Sequence, residues 1–148
     1  MKKIISTIIV IIITSILTYL LISKNKSYNE FYDIDNNAIS SVNKVTGLKI
    51  HPKIEYIKKE NTKIYKFNKV DDSFNYSVKY ANYLWKNEGY YITSNDNFGK
   101  SNIGKIELAK NSLKNGEILR VNVDYNTNNS FTVVISLVNG SLLLRNTN

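Results

Sequence analysis

The chain has 148 residues, 43% of them apolar and 22% charged, with 20 Lys and Arg against 12 Asp and Glu. It contains no cysteine and one histidine, so disulfides, thiolate metal sites, cysteine nucleophiles and His-pair metal sites are excluded together. Asn, Lys, Ile and Tyr are abundant, as in the coding sequences of AT-rich bacteria, and the N-x-S/T triplets at Asn25, Asn75, Asn128 and Asn139 are read as chance.

Residues 4 to 23 carry no charge, and Lys2, Lys3, Lys24 and Lys26 flank them. About 20 helical residues at roughly 1.5 Å each match a hydrocarbon core of about 30 Å, so residues 1–23 are predicted to form a transmembrane signal anchor. Its membrane-spanning face includes Ile4, Ile9, Ile13, Leu17 and Leu21, with residues 4–22 in contact with the lipid bilayer. A cleaved signal peptide has a shorter apolar run and a small-residue cleavage site, whereas no Ala precedes Ala38. The two lysines on each side nearly balance, but a short tail ahead of the helix fits an N-terminus inside the cell. The C-terminal part is therefore expected outside the cytoplasm.

Residues 24–45 are polar and aperiodic and read as a juxtamembrane linker, with Tyr19, Tyr28, Phe31 and Tyr32 near the headgroup layer. Residues 46–148 are expected to be an extracytoplasmic α+β domain. Strands near Lys53–Lys58 and Lys63–Lys69 are joined by a turn at Glu60-Asn61. A helix follows, capped by Asp71 or Asp72 and closed by Gly89; its apolar stripe is Phe74, Val78, Ala81, Leu84 and Trp85. Beyond it, GYYITS, IGKIELAK, EILRVNVDY and FTVVISLV read as strands, the last two with apolar residues at every second position, Leu119, Val121, Val123 and Tyr125 in one and Phe131, Val133, Ile135 and Leu137 in the other. The expected fold is a small antiparallel sheet with one main helix packed on its apolar face.

The motif that most invites a chemical reading is SNDNFGKS, residues 94–101, but Ser94 stands where a phosphate-binding loop needs its first Gly, and a strand pattern follows instead of a helix. Gly99 then marks a hairpin turn. As a calcium loop the segment has Phe98 and Lys100 where oxygen ligands belong. His51 precedes Pro52 and reads as an extended strand entry, and no G-x-S-x-G elbow is present to supply a nucleophile. Glu55, Glu107, Glu117 and Asp124 fall on the wet side of separate strands, leaving a cross-strand carboxylate pair as the one enzymatic option. No cofactor or metal is implied and an enzyme is not expected.

Residues 24–148 hold 18 Lys and Arg, the total of 20 less Lys2 and Lys3, against 12 acids, a net of +6. Outside a membrane, the polyanions within reach are lipid headgroups and wall polymers rather than nucleic acid. A binding surface is expected around Lys58, Lys63 and Lys66 of the first hairpin, and a second around the tyrosines Tyr80, Tyr83 and Tyr90. The function expected is that of a non-enzymatic, membrane-anchored domain binding a ligand or partner at the cell envelope, either an anionic polymer or another envelope protein. Two alternatives stand beside it: an immunity or inhibitor protein acting against an incoming toxin or hydrolase, and a wall-polymer hydrolase using paired carboxylates.

Overall fold

The computed structural model of the protein describes residues 12–15, 28–126 and 128–142. Ile12 to Ser15 are helical, with Ile13 exposed; Ile4, Ile9, Leu17, Leu21 and Tyr19 lie outside the described residues. Among the described residues no helix is long and apolar enough to cross a membrane.

The remainder is an α+β fold. In chain order it runs β1 (Phe31–Ile34), β2 (Asn37–Ser40), α1 (Val42–Thr46), β3 (Lys53–Ile57), β4 (Thr62–Asn68), α2 (Ser73–Asn87), β5 (Tyr91–Asp96), β6 (Gly104–Asn111), β7 (Glu117–Asn126) and β8 (Ser130–Asn139). β1 and β2 form a separate hairpin, and the other six strands make one antiparallel sheet in the order β3-β4-β8-β7-β6-β5. β8 therefore lies inside the sheet, paired with β4 on one side and β7 on the other.

Strict alternation decides which face of the sheet is covered. Leu119, Val121, Val123 and Tyr125 of β7 and Phe131, Val133 and Ile135 of β8 are buried, as the period-two pattern predicts. The helix α2 and the β1–β2 hairpin pack on this side. Tyr32 stacks on Tyr65 with centroids 3.9 Å apart, and Phe74 meets Tyr125 edge-on at 5.3 Å. The cap of α2 is Asp72, whose carboxylate accepts from Asn75 N at 3.4 Å, and Gly89 follows the helix at φ +72°.

Two expectations are corrected. The helix buries Ser73, Ser77, Tyr80, Ala81 and Leu84, whereas Trp85 is exposed and Phe74 and Val78 are only partly buried. The inward stripe is small where the helix lies against the sheet: the Ser77 hydroxyl donates to Phe74 O at 2.8 Å and so needs no partner outside the helix. The stretch read as a linker also contains folded structure. Tyr32, Ile34, Ile39 and Val42 are core residues, and Asp35 and Asn36 both take positive φ (46° and 65°), as a two-residue type I′ hairpin turn requires.

Candidate functional site

The helices and the hairpin all lie against one side of the sheet, which leaves the other side open among the described residues. Across five strands, Glu55, Ile64, Val134, Asn122 and Glu107 stand in one row. Lys53, Lys66, Thr132, Asp124 and Lys105 form the next row, and Thr62, Ser136, Arg120 and Ala109 flank it on the other side. The face is thus a patchwork of ion pairs around an aliphatic centre, Ile64 and Val134, both half-buried.

The ions are fixed by one another. Glu55 accepts from Lys53 at 3.1 Å and Lys66 at 2.9 Å, and these lysines hold its carboxyl below the usual carboxylate range. Arg120 pairs with Glu107 on the neighbouring strand, and the Thr93 hydroxyl donates to the second oxygen of Glu107 at 2.9 Å. Thr93 sits at the bulge where β5 slips against β6, which turns it toward Glu107. Between these clusters lies Asn122, whose side-chain oxygen is buried with no hydrogen-bond partner among the described residues. Glu55 and Glu107 are separated by four inter-strand spacings, about 19 Å at roughly 4.8 Å each. That exceeds the 5 to 10 Å or so at which two carboxyls flank a glycosidic bond.

Of the residues expected to bind, only Lys66 belongs to this face. Lys63 points to the helix side, where its ammonium donates to the backbone carbonyl of Asp33 and lies 5.8 Å from the centre of the Tyr56 ring. Lys58 is exposed on the single 3-10 turn after β3. The tyrosine surface is corrected more sharply, because Tyr80 and Tyr90 are core residues and Tyr83 is half-buried beside them. The Tyr80 hydroxyl donates to Ser40 O at 3.0 Å, which ties the helix to the hairpin. Glu88 supports the same junction, its carboxylate accepting from Ser40 N at 3.2 Å. Lys110 lies 4.4 Å over the Tyr90 ring and donates to Glu88 O at 3.4 Å; burial lowers its affinity for its proton.

The Gly99 turn is a hairpin connection, with Gly99 at φ +76° and β6 directly after the loop. Its amide donates inward, to the Tyr125 hydroxyl at 2.9 Å. His51 stacks on Tyr28 at 4.4 Å, in a small cleft of about 90 Å³ with Tyr32, Asn43 and Ile54. A shallow pocket of about 200 Å³ lies at the start of α2 among Asp71, Asp72, Asn102, Asn126 and Asn129. Among the described residues no three acidic or histidine side chains converge as a metal site would need. The residues missed by sequence reasoning are Asn122, Arg120 and Thr93; the alternation of β7 marks the first two as outward-facing, while the bulge that recruits Thr93 leaves no local signal. No protein-family model matches the chain, and no curated protein is significantly similar to it.

Proposed function

We propose that the protein is a single-pass membrane protein whose folded part stands outside the cytoplasm and holds a partner, an anionic envelope polymer or another envelope protein, on the open face of its sheet. The apolar run of residues 4–23 supports the anchor. The observation that carries the binding role is Asn122: among the described residues three buried side-chain polar atoms lack a hydrogen-bond partner, Tyr90 Oη, Glu117 Oε2 and Asn122 Oδ1, and Asn122 is the one on the open face of the sheet, where an unpaired acceptor costs about 1 to 3 kcal/mol that an apolar residue of similar size would avoid. Its place between half-buried aliphatic residues and two flanking ion-pair clusters gives a partner apolar contact and, once the Asn122 side chain turns outward, a hydrogen bond to complete. Strain or unmet polarity retained at such a position is characteristic of sites that do something other than stabilise the fold.

The test is a pull-down from membranes with the intact chain, the Asn122→Val variant and the chain lacking residues 1–23. The expected result is a captured partner with the intact chain, its loss with Asn122→Val although that variant melts at the same temperature or higher, and its loss without the anchor. Capture that is equal with intact and Asn122→Val chains would sink the assignment of this face. Salt identifies the kind of partner, since attraction to a polyanion weakens steeply as the screening length contracts from about 10 Å at 0.1 M to about 3 Å at 1 M.

A further inference from the structure

The first described residue after the apolar run is Tyr28, and only Lys24 to Ser27 intervene. Five residue steps of at most roughly 3.6 Å reach about 18 Å, so the surface around Tyr28 is confined to the neighbourhood of the headgroups if residues 4–23 span the bilayer. That surface has a distinct chemistry. Tyr28 stacks on His51, and Ile54 lines the same cleft. Ile54 and Tyr56 are on one side of the edge strand β3 and are each 53% exposed; Phe31 of the hairpin is 47% exposed. A lysine accompanies each ring: Lys44 lies 3.6 Å over Phe31, and Lys63 is near Tyr56. Among the described residues neither lysine has an acidic partner at ion-pair distance, whereas Glu55, on the other side of the same strand, is engaged by Lys53 and Lys66. Lys58 and Lys59 extend the positive charge along the turn after β3.

Exposed aromatic rings with lysines beside them suit the boundary between headgroups and acyl chains, where the ring is partly desolvated and the ammonium meets phosphate. We infer that the β3 edge, with Phe31, Ile54, Tyr56, Lys44 and Lys63, rests on the anionic lipid surface in which the chain is anchored, so that the sheet stands edge-on to the bilayer. This rests on the anchor proposed above and adds an orientation to it. In that pose β5 is the outermost strand, five inter-strand spacings or about 24 Å from β3. The open face of the sheet then meets the space beside the membrane, and the row containing Asn122 is reached laterally.

The chain has no cysteine of its own, so single nitroxide labels report on one position each. The full chain carrying Tyr56→Cys or Ser94→Cys, both exposed positions on opposite edge strands, is reconstituted in vesicles of equal parts phosphatidylglycerol and phosphatidylcholine. Collision with oxygen, which partitions into lipid, is compared with collision with a water-soluble nickel chelate. The expected result is a Tyr56 label more accessible to oxygen and a Ser94 label more accessible to nickel, with alkaline carbonate leaving the chain in the vesicles. Two labels with the same aqueous profile in a carbonate-resistant chain overturn the orientation and leave the anchor standing. Release of the chain by carbonate overturns both.

Discussion

Tyr125 joins the sheet to the loop between β5 and β6 through a single oxygen, which accepts from Gly99 N and donates to Ser101 O, each at 2.9 Å. Gly104 faces it so closely that an added Cβ would sit 2.6 Å from the hydroxyl and 2.8 Å from Phe98 Cα. Tyr125→Phe is expected to destabilise by about 1 to 2 kcal/mol, since both loop groups must find water instead. Gly104→Ala is expected to cost about 1 to 3 kcal/mol through overpacking. The double variant, measured by denaturant unfolding, should cost less than the sum, because removing the oxygen relieves the closest contact; strict additivity would show that the two do not share the strain. Sequence leaves such residues ambiguous. Tyrosine has an apolar body and a polar tip, so Tyr80 and Tyr90 read equally well as surface or core; the fold brings Ser40 O to the hydroxyl of Tyr80 and the Lys110 ammonium over the ring of Tyr90, whose hydroxyl is buried with no hydrogen-bond partner among the described residues.

At the scale of elements, the β1–β2 hairpin and α1 complete the core. Tyr32, Ile34, Ile39 and Val42 are buried there, and each such side chain is worth about 1.5 to 3 kcal/mol against a total stability of about 5 to 15 kcal/mol. A chain beginning at residue 46 is therefore expected to lack a cooperative thermal transition, while one beginning at residue 28 should melt cooperatively; a sharp melt of the shorter chain would refute this. Asn36, at φ +65° in the hairpin turn, gives a finer test: Asn36→Gly should raise the melting temperature slightly, and Asn36→Ala should lower it by about 1 to 2 kcal/mol in equivalent stability. Strands β3 to β8 and the helix were legible because strand composition, alternation and helix capping are local signals. The hairpin's own signal, Asp-Asn between short alternating runs, is real but is diluted by surrounding Asn and Ser. The inward stripe of α2 was displaced toward Trp85 because a hydropathy pattern favours large apolar residues, whereas close packing on a sheet selects Ser73, Ser77 and Ala81.

For the whole molecule, four of the five tyrosines buried among the described residues set the response to alkali. Burial raises the phenols of Tyr32, Tyr80 and Tyr90 and pushes that of Tyr65 up to about 12. The folded state thus holds these protons where the unfolded chain releases them near pH 10 or so, and the stability they contribute is intact below that pH and lost as pH rises through the folded values. Lys110, lowered by burial, acts in the opposite sense as one group against four. The melting temperature is expected to be flat from about pH 7 to 9 and to fall beyond about pH 10, with a shallower fall in Tyr80→Phe; a flat profile through pH 11 or so would contradict the burial of these rings. The sheet order was the least legible feature at this scale, because the pairing of residues 62–68 with 130–136 depends on contacts across most of the chain. That pairing also governs timing. β8 is the strand that bridges the β3–β4 hairpin to the β5–β6–β7 meander, so each of these two parts can pair within itself but the six-stranded sheet cannot close until residues 130–139 have been made. A premature stop anywhere before residue 130 would remove the keystone and leave two unconnected fragments, not a smaller version of the domain.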